Sequence, residues 1–90
     1  MAAYSIFLKD SVRKDLVSVP THYLQRIMSR IASLADNPRP DGCEKLSDQE
    51  KYRIRQGVYR IIYSIQDTQL TVWVVKVGHR REVYRSEITS

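Results

Sequence analysis

The chain has 90 residues, 42% of them hydrophobic, and it carries a formal net charge of +5. This length suits one hydrophobic core, and the apolar content is too high for a disordered chain, so we predict a single domain over residues 1–90. The only cysteine, Cys43, excludes an internal disulfide framework and a multi-cysteine zinc site, and we predict no cofactor.

The chain begins with a predicted strand and a first helix. Ala3 to Leu8 is a short run of apolar and aromatic residues, which is typical of a strand. Asp10 or Ser11 can cap the helix that follows, and Pro20 ends it. The apolar positions of this helix follow helical spacing: Val12, Leu16 and Val19.

A second helix and a loop come next. Thr21 is a candidate cap, and the residue before Pro38 avoids helical geometry, so Asn37-Pro38 should end the helix. The predicted apolar stripe consists of Leu24, Ile27, Met28, Ile31, Leu34 and Ala35. Residues 38–50 hold two prolines, a glycine and four acidic residues, which predicts a surface loop that Leu46 attaches to the core.

The second half of the chain predicts three strands joined by two tight turns. The strands are Tyr52–Arg55, Val58–Gln66 and Leu70–Gly78, and the turns are Gln56-Gly57 and Asp67–Gln69. The tail, Arg81–Ser90, predicts at most one helical turn. We therefore predict an α+β domain of order βααβββ: a four-stranded, mostly antiparallel sheet with two N-terminal helices on one face.

The first of these turns determines where three arginines project. A two-residue turn at Gln56-Gly57 pairs Arg53 with Arg60 and Arg55 with Val58. Directly opposed residues share a face, and so do residues two apart on one strand, so all three arginines project from one side. The other side is the predicted core face: Tyr52, Ile54, Tyr59, Ile61, Tyr63 and Ile65.

The second turn leaves two registers open. A three-residue connection at Asp67–Gln69 places Lys76 opposite Arg60 and sends Arg80 to the same face. It also sends three residues to the core: Trp73, Val75 and Val77. A two-residue connection would instead place Trp73 and Val75 beside Arg60. We favour the first register because it separates charge from the core more cleanly.

Charge is distributed unevenly along the chain. Residues 1–50 hold seven basic and seven acidic residues, whereas residues 51–90 hold eight basic and three acidic residues. The whole net charge therefore lies in the last 40 residues, which indicates a polyanionic partner for that half. A solvated polar face is the simpler interpretation. The convergence of several arginines near Tyr84 argues against it, because the planar guanidinium group matches a phosphate.

Two segments, Tyr52–Tyr63 (YRIRQGVYRIIY) and Val77–Tyr84 (VGHRREVY), resemble the RelE/ParE toxin superfamily. The order of elements also matches, so the resemblance spans nearly the whole chain. It implies a toxin that is neutralised by a labile antitoxin wrapped around it. RelE-type members enter the ribosomal A site and cleave mRNA there, by attack of a ribose 2′-hydroxyl on the adjacent phosphate.

The resemblance also implies a set of site residues. The catalytic candidates are Arg53, Arg55, Arg60, Arg80 and Tyr84. To these residues we add four candidates for RNA binding: Lys51, Lys76, His79 and Arg81. Some relatives have lysines at the first two catalytic positions, and arginine is a poor proton acceptor because it stays protonated. His79 and Glu82 are candidate bases, and a mechanism without a strong base is the alternative.

We therefore expect a metal-independent endoribonuclease whose partners are a RelB-like antitoxin, in a heteromeric complex, and the ribosome with its mRNA. The N-terminus lacks a secretory signal and no apolar run is long enough to span a membrane, so we expect a cytoplasmic protein without membrane contact. Three alternatives stay open. They are a ParE-type inhibitor of DNA gyrase with the same fold, a non-catalytic RNA- or ribosome-binding module, and an inactive structural partner in a larger complex.

Overall fold

The computed structural model describes residues 3–46 and 50–79, and the elements follow the predicted order with one strand added. The helices are α1 (Asp10–Val17) and α2 (Thr21–Ser33). The strands are β1 (Ser5–Leu8), β2 (Glu44–Leu46), β3 (Lys51–Gln56), β4 (Tyr59–Gln66) and β5 (Thr71–His79). The tail, residues 81–90, lies outside the described residues, so its predicted helical turn stays a prediction.

Both helices begin slightly earlier than predicted. Their cap residues are Lys9 and Pro20, and neither makes a side-chain hydrogen bond to the helix. The predicted caps therefore lie inside the helices, where Asp10 in the first turn still interacts favourably with the helix dipole. Helix α2 ends at Ser33, before Asn37, and the hydroxyl of Ser33 donates to the carbonyl of Arg30 at 2.6 Å. Such a side-chain bond competes with the helical pattern and favours its end.

The five strands form one sheet in the order β1-β5-β4-β3-β2. Strand β1 is parallel to β5, and the remaining neighbours are antiparallel. The prediction of a loop over residues 38–50 was wrong at residues 44–46, which pair with β3 as a short edge strand. Three residues are too few to show strand alternation, so this strand left no periodic signal in the sequence.

In the first hairpin the side chains lie on the predicted faces, but the two strands pair in a different register. The turn is Gly57-Val58, one residue later than predicted, and Gly57 takes a φ of +62°, which glycine adopts at low cost. Arg55 therefore lies opposite Arg60, and Arg53 lies opposite Ile62. Moving the turn by one residue shifts each partner by two positions, so every side chain keeps its face.

The second hairpin departs further from the prediction, because its connection has four residues and β5 contains a bulge. Ile62 pairs with Lys76 and Tyr63 with Val74, which leaves Val75 as an extra residue on β5. Lys76 is thus opposite Ile62, and Gly78 is the partner of Arg60.

The bulge also decides which residues of β5 enter the core. Val72 and Val74 on one side of it, and Val77 on the other, are at most 1% exposed. The prediction was correct for Val77 and wrong for Trp73 and Val75, which are only partly buried. The helices pack against one face of the sheet and enclose this core: Val12, Val19, Ile27, Ile31, Leu34, Tyr52, Ile54, Ile61, Tyr63, Ile65, Val72, Val74 and Val77.

A polar network attaches the segment after α2 to the sheet. The Arg39 guanidinium donates to both carboxylate oxygens of Asp67, at 3.0 and 2.9 Å, and its Nε donates to the hydroxyl of Tyr52 at 3.2 Å. The hydrogen bonds that Arg39 donates to Asp67 lower the pKa of this carboxyl group to about 2. The hydroxyl of buried Tyr63 donates to the carbonyl of Pro38 at 2.7 Å. The segment that leads into β2 is therefore fixed at two points.

Neither helix in the described part of the chain has the length and apolar content required to cross a bilayer.

Candidate active site

Three arginines meet on the face of the sheet opposite the helices, which we call the arginine face. Arg55 and Arg60 are direct partners on β3 and β4, where facing Cβ atoms are about 5 Å apart. Arg53 is two residues along β3, a rise of about 6.7 Å. The side chain of Arg55 is 63% exposed, whereas that of Arg53 is 15% exposed. The predicted gathering of these three arginines on one face is confirmed, although the pairing within it differs.

A carboxylate that the sequence analysis did not predict lies within this cluster. Glu44 on β2 is the direct partner of Arg53, whose Nη2 donates to Oε2 at 2.6 Å. Nη2 of Arg55 lies 3.9 Å from the other carboxylate oxygen. The hydrogen bond from Arg53 and the positive charges of Arg53, Arg55 and Arg60 lower the pKa of Glu44. The cluster thus already holds one anion with two oxygens, a geometry that a phosphate group shares.

The two lysines predicted to bind RNA lie in different environments. Lys51 is two residues before Arg53 on β3, so it extends the arginine face along the strand. Lys76 forms an ion pair with Asp15 of α1, with 3.3 Å between Nζ and Oδ1. The second oxygen of Asp15 accepts a hydrogen bond from the backbone N–H of Val77 at 3.3 Å. Lys76 therefore attaches β5 to α1 instead of facing Arg60, as the predicted register required.

His79 lies on the helix side of the sheet, away from the arginines. It is the partner of Tyr59 and packs edge-on against that ring, with 6.1 Å between centroids. It lines a cavity of about 190 Å³ together with Asp15 and Val19 of the helical layer. The sheet separates this imidazole from the arginine cluster. The remaining predicted site residues, Arg80, Arg81 and Tyr84, and the candidate base Glu82 lie outside the described residues.

A cleft continues the arginine face from Lys51 towards β5. It has a volume of about 330 Å³ and is lined by Lys9, Lys51, Ser64, Gln66, Trp73 and Val75. The ring of Trp73 stacks on that of Phe7, with centroids 5.0 Å apart and planes inclined by 26°. This cleft was not predicted from the sequence, because Trp73 and Val75 were expected in the core.

Solved structures of RelE-type toxins have this architecture. The chain is similar to the toxin–antitoxin complex RelBE2 of Mycobacterium tuberculosis, with 26% identity, a TM-score of 0.79, and coverage of 89% of this chain and 94% of the other. It is also similar to the RelE–RelB complex of Pyrococcus horikoshii, with 26% identity, a TM-score of 0.76, and coverage of 89% and 97%. The fold is thus that of the RelE/ParE toxin superfamily.

Comparison with known sequences assigns the chain to one family within this superfamily. The family model of the ParE toxin of type II toxin–antitoxin systems (parDE) matches residues 6–84. Toxin RelG of Mycobacterium tuberculosis (strain H37Rv) is 27% identical over 84 residues, which cover 91% of this chain and 97% of the relative. The chain belongs to the ParE toxin family and is a toxin of a type II toxin–antitoxin system.

Proposed function

We propose that this toxin is an endoribonuclease that cleaves mRNA in the A site of the translating ribosome, and so acts in the cytoplasm. The observation that carries the proposal is the cluster of Arg53, Arg55 and Arg60 on the arginine face, whose positive charges already act on one carboxylate, that of Glu44. Preorganised donors of this kind stabilise the negative charge that develops on a phosphate under attack.

The reaction is an in-line displacement at phosphorus. The ribose 2′-oxygen forms a new O–P bond and loses its proton, while the bond from phosphorus to the 5′-oxygen breaks and that oxygen takes up a proton. The products are a 2′,3′-cyclic phosphate and a 5′-hydroxyl end. We assign Arg60 to the stabilisation of charge on the non-bridging oxygens. Arg53 and Arg55 hold the scissile phosphate as bidentate donors.

The described residues of the site are better suited to stabilising charge and positioning the RNA than to accepting a proton. Arginine stays protonated, and His79 lies across the sheet from the cluster. The lowered pKa of Glu44 makes its carboxylate a weaker proton acceptor than usual. Positioning of the RNA by the ribosome then contributes much of the rate, and we expect slow cleavage of free RNA.

We infer that a RelB-like antitoxin neutralises this toxin in a heteromeric complex. Both solved structures named above are toxin–antitoxin complexes, and their similarity to this chain, at 26% identity, supports this inference. The match to the ParE toxin family model favours a second candidate function, the inhibition of DNA gyrase without RNA cleavage.

Mapping mRNA 5′ ends by primer extension in a translating extract tests the proposal. We expect new ends within the A-site codon after the purified chain is added, and far fewer when the same mRNA is incubated without ribosomes. Intact message together with inhibited DNA supercoiling would favour gyrase as the target. Intact message with toxin bound to ribosomes would favour a non-catalytic module. Either result would reject the proposed ribonuclease activity.

Glu44 should behave as a counter-ion that an RNA phosphate displaces. We expect Glu44→Gln to lower the Kd for a single-stranded RNA by up to about fivefold at low salt, the range measured for exposed ion pairs. The gain should disappear in 1 M salt, where the Debye length is about 3 Å.

The matched control is Asp36→Asn, which removes the same charge from an exposed position after α2. Its Kd, measured by fluorescence anisotropy, should change less than that of Glu44→Gln. Weaker RNA binding by Glu44→Gln would mean that the carboxylate orients Arg53 for the phosphate instead of competing with it.

A further inference from the structure

We propose that the cleft between Lys51 and Trp73 binds one nucleobase of the RNA strand whose phosphate lies at the arginine cluster. This inference rests on the proposed function, because it assumes an RNA substrate. It assigns a role to the aromatic end of the arginine face, which the cleavage chemistry leaves unused.

The spacing of the strands leaves room in the cleft for one planar ring. Lys51 is the partner of Ser64, and Ser64 is the partner of Trp73, so the three residues form a row across β3, β4 and β5. Neighbouring strands are about 4.8 Å apart, which places the Lys51 and Trp73 backbones roughly 10 Å apart. A ring stacked between two groups needs about 3.5–4 Å on each side. The small side chain of Ser64 leaves that space open above the middle strand.

The bulge in β5 gives the cleft its aromatic wall. An extra residue at Val75 reverses the alternation, so Trp73 and Val75 line the cleft while Val74 is fully buried. Phe7, 45% exposed on β1, supports the indole from the side away from the cleft. The other side of the indole is therefore turned towards Ser64 and Lys51. An aromatic platform of this kind binds bases of single-stranded nucleic acids by stacking.

The polar groups of the cleft match the remaining parts of a nucleotide. Lys9 and Lys51 line it with positive charge for the phosphate backbone, and the Ser64 hydroxyl and Gln66 amide can bond to base edges. Lys51 is two residues from Arg53 on the same face, about 6.7 Å along the strand. One strand of RNA can therefore contact both places. This continuity of positive charge favours RNA over a protein segment as the occupant.

Trp73 is the only tryptophan of the chain, so its fluorescence reports on this cleft directly. The probe is a hexaribonucleotide with 2′-O-methyl groups, which bind but cannot attack the phosphate. We expect saturable quenching of Trp73 by this oligonucleotide. An abasic oligomer of the same length and charge should bind through the arginines, as measured by competition, without quenching. Equal quenching by both oligomers, or no quenching by either, would overturn the proposal.

A substitution that fills the cleft tests the same point without relying on fluorescence alone. Ser64→Leu should abolish quenching and weaken the Kd for a labelled oligonucleotide about tenfold, within the range found for one stacked base. Ser29→Leu, at an exposed position of α2, is the matched control and should bind like the wild type. Trp73→Leu provides a second measurement if Ser64→Leu does not fold. Wild-type affinity in either folded cleft variant would reject the subsite.

The two proposals fail in distinguishable ways. Quenching is measured on the purified full chain without ribosomes, so it can be observed even if no mRNA is cut in the extract. Normal cleavage by Ser64→Leu, together with unquenched wild-type fluorescence, would reject the cleft and leave the ribonuclease intact. Fluorescence that responds to the antitoxin and to neither oligomer would assign the cleft to a protein interface and reject the base subsite.

Discussion

Replacing Arg60 by Ala is expected to lower the rate of mRNA cleavage on the ribosome by about 100- to 1,000-fold, the usual effect of losing one preorganised donor to a developing oxyanion. Arg60 is the direct partner of Arg55 and lies near enough to Glu44 to lower its pKa. Its guanidinium therefore lies near the Glu44 carboxylate, the place where we expect the phosphate. The rate is measured as the growth of primer-extension products with time in the translating extract.

The fold should survive this substitution because Arg60 is outside the hydrophobic core. We expect the melting temperature to fall by no more than about 8 °C, which corresponds to about 1 kcal/mol for a domain of this size. Arg26→Ala is the matched control, since Arg26 is exposed on α2, on the opposite side of the sheet. Cleavage at the wild-type rate by Arg60→Ala would show that the arginine cluster is not the active site.

The arginine cluster could be predicted from the sequence because an error in the strand register did not change the face of the sheet on which each side chain lies. The true turn of the first hairpin, Gly57-Val58, is one residue beyond the predicted one. That error changes the partner of Arg60 from Arg53 to Arg55 without moving either side chain to the other face. A sequence pattern of period two therefore located the cluster correctly although each specific pair was wrong.

In the second hairpin, the error in register did change the face on which some side chains lie. The connection after β4 has four residues, including Leu70 at a φ of +48°, and the bulge at Val75 then reverses the alternation partway along β5. Val77 lies beyond the bulge and keeps its predicted face, whereas Trp73 lies before it and does not. The continuous apolar run over residues 72–75 does not indicate where an extra residue will enter, so the sequence alone could not decide between the two registers.

Glu44 was missed for a different reason. Its place in the site depends on a three-residue strand at the sheet edge, which pairs it with Arg53. The segment before that strand is held by contacts distant in the chain, such as the bond from Tyr63 to the carbonyl of Pro38. Local composition, with its prolines and acidic residues, predicted only a loop. Long-range packing, which a single sequence does not display, determined the strand.

Adjacent valines of β5 lie on opposite faces of the sheet, so we expect them to respond very differently to the same substitution. We expect Val74→Asp to cost at least about 3–5 kcal/mol of unfolding free energy, since the valine is fully buried and the new carboxylate would lack a partner. A domain of this kind has only about 5–15 kcal/mol in total, so this variant should be largely unfolded or close to it. Val75→Asp should cost about 1 kcal/mol, mainly through lower strand propensity.

The comparison is made by urea unfolding, as the shift of the midpoint at unchanged slope. Both variants exchange the same residue types in the same strand, so the change in strand propensity largely cancels and the difference reports burial alone. The register predicted from the sequence, with Val75 in the core, requires the opposite order of stability. A Val75→Asp variant less stable than Val74→Asp would contradict the register that places Trp73 on the cleft beside Lys51.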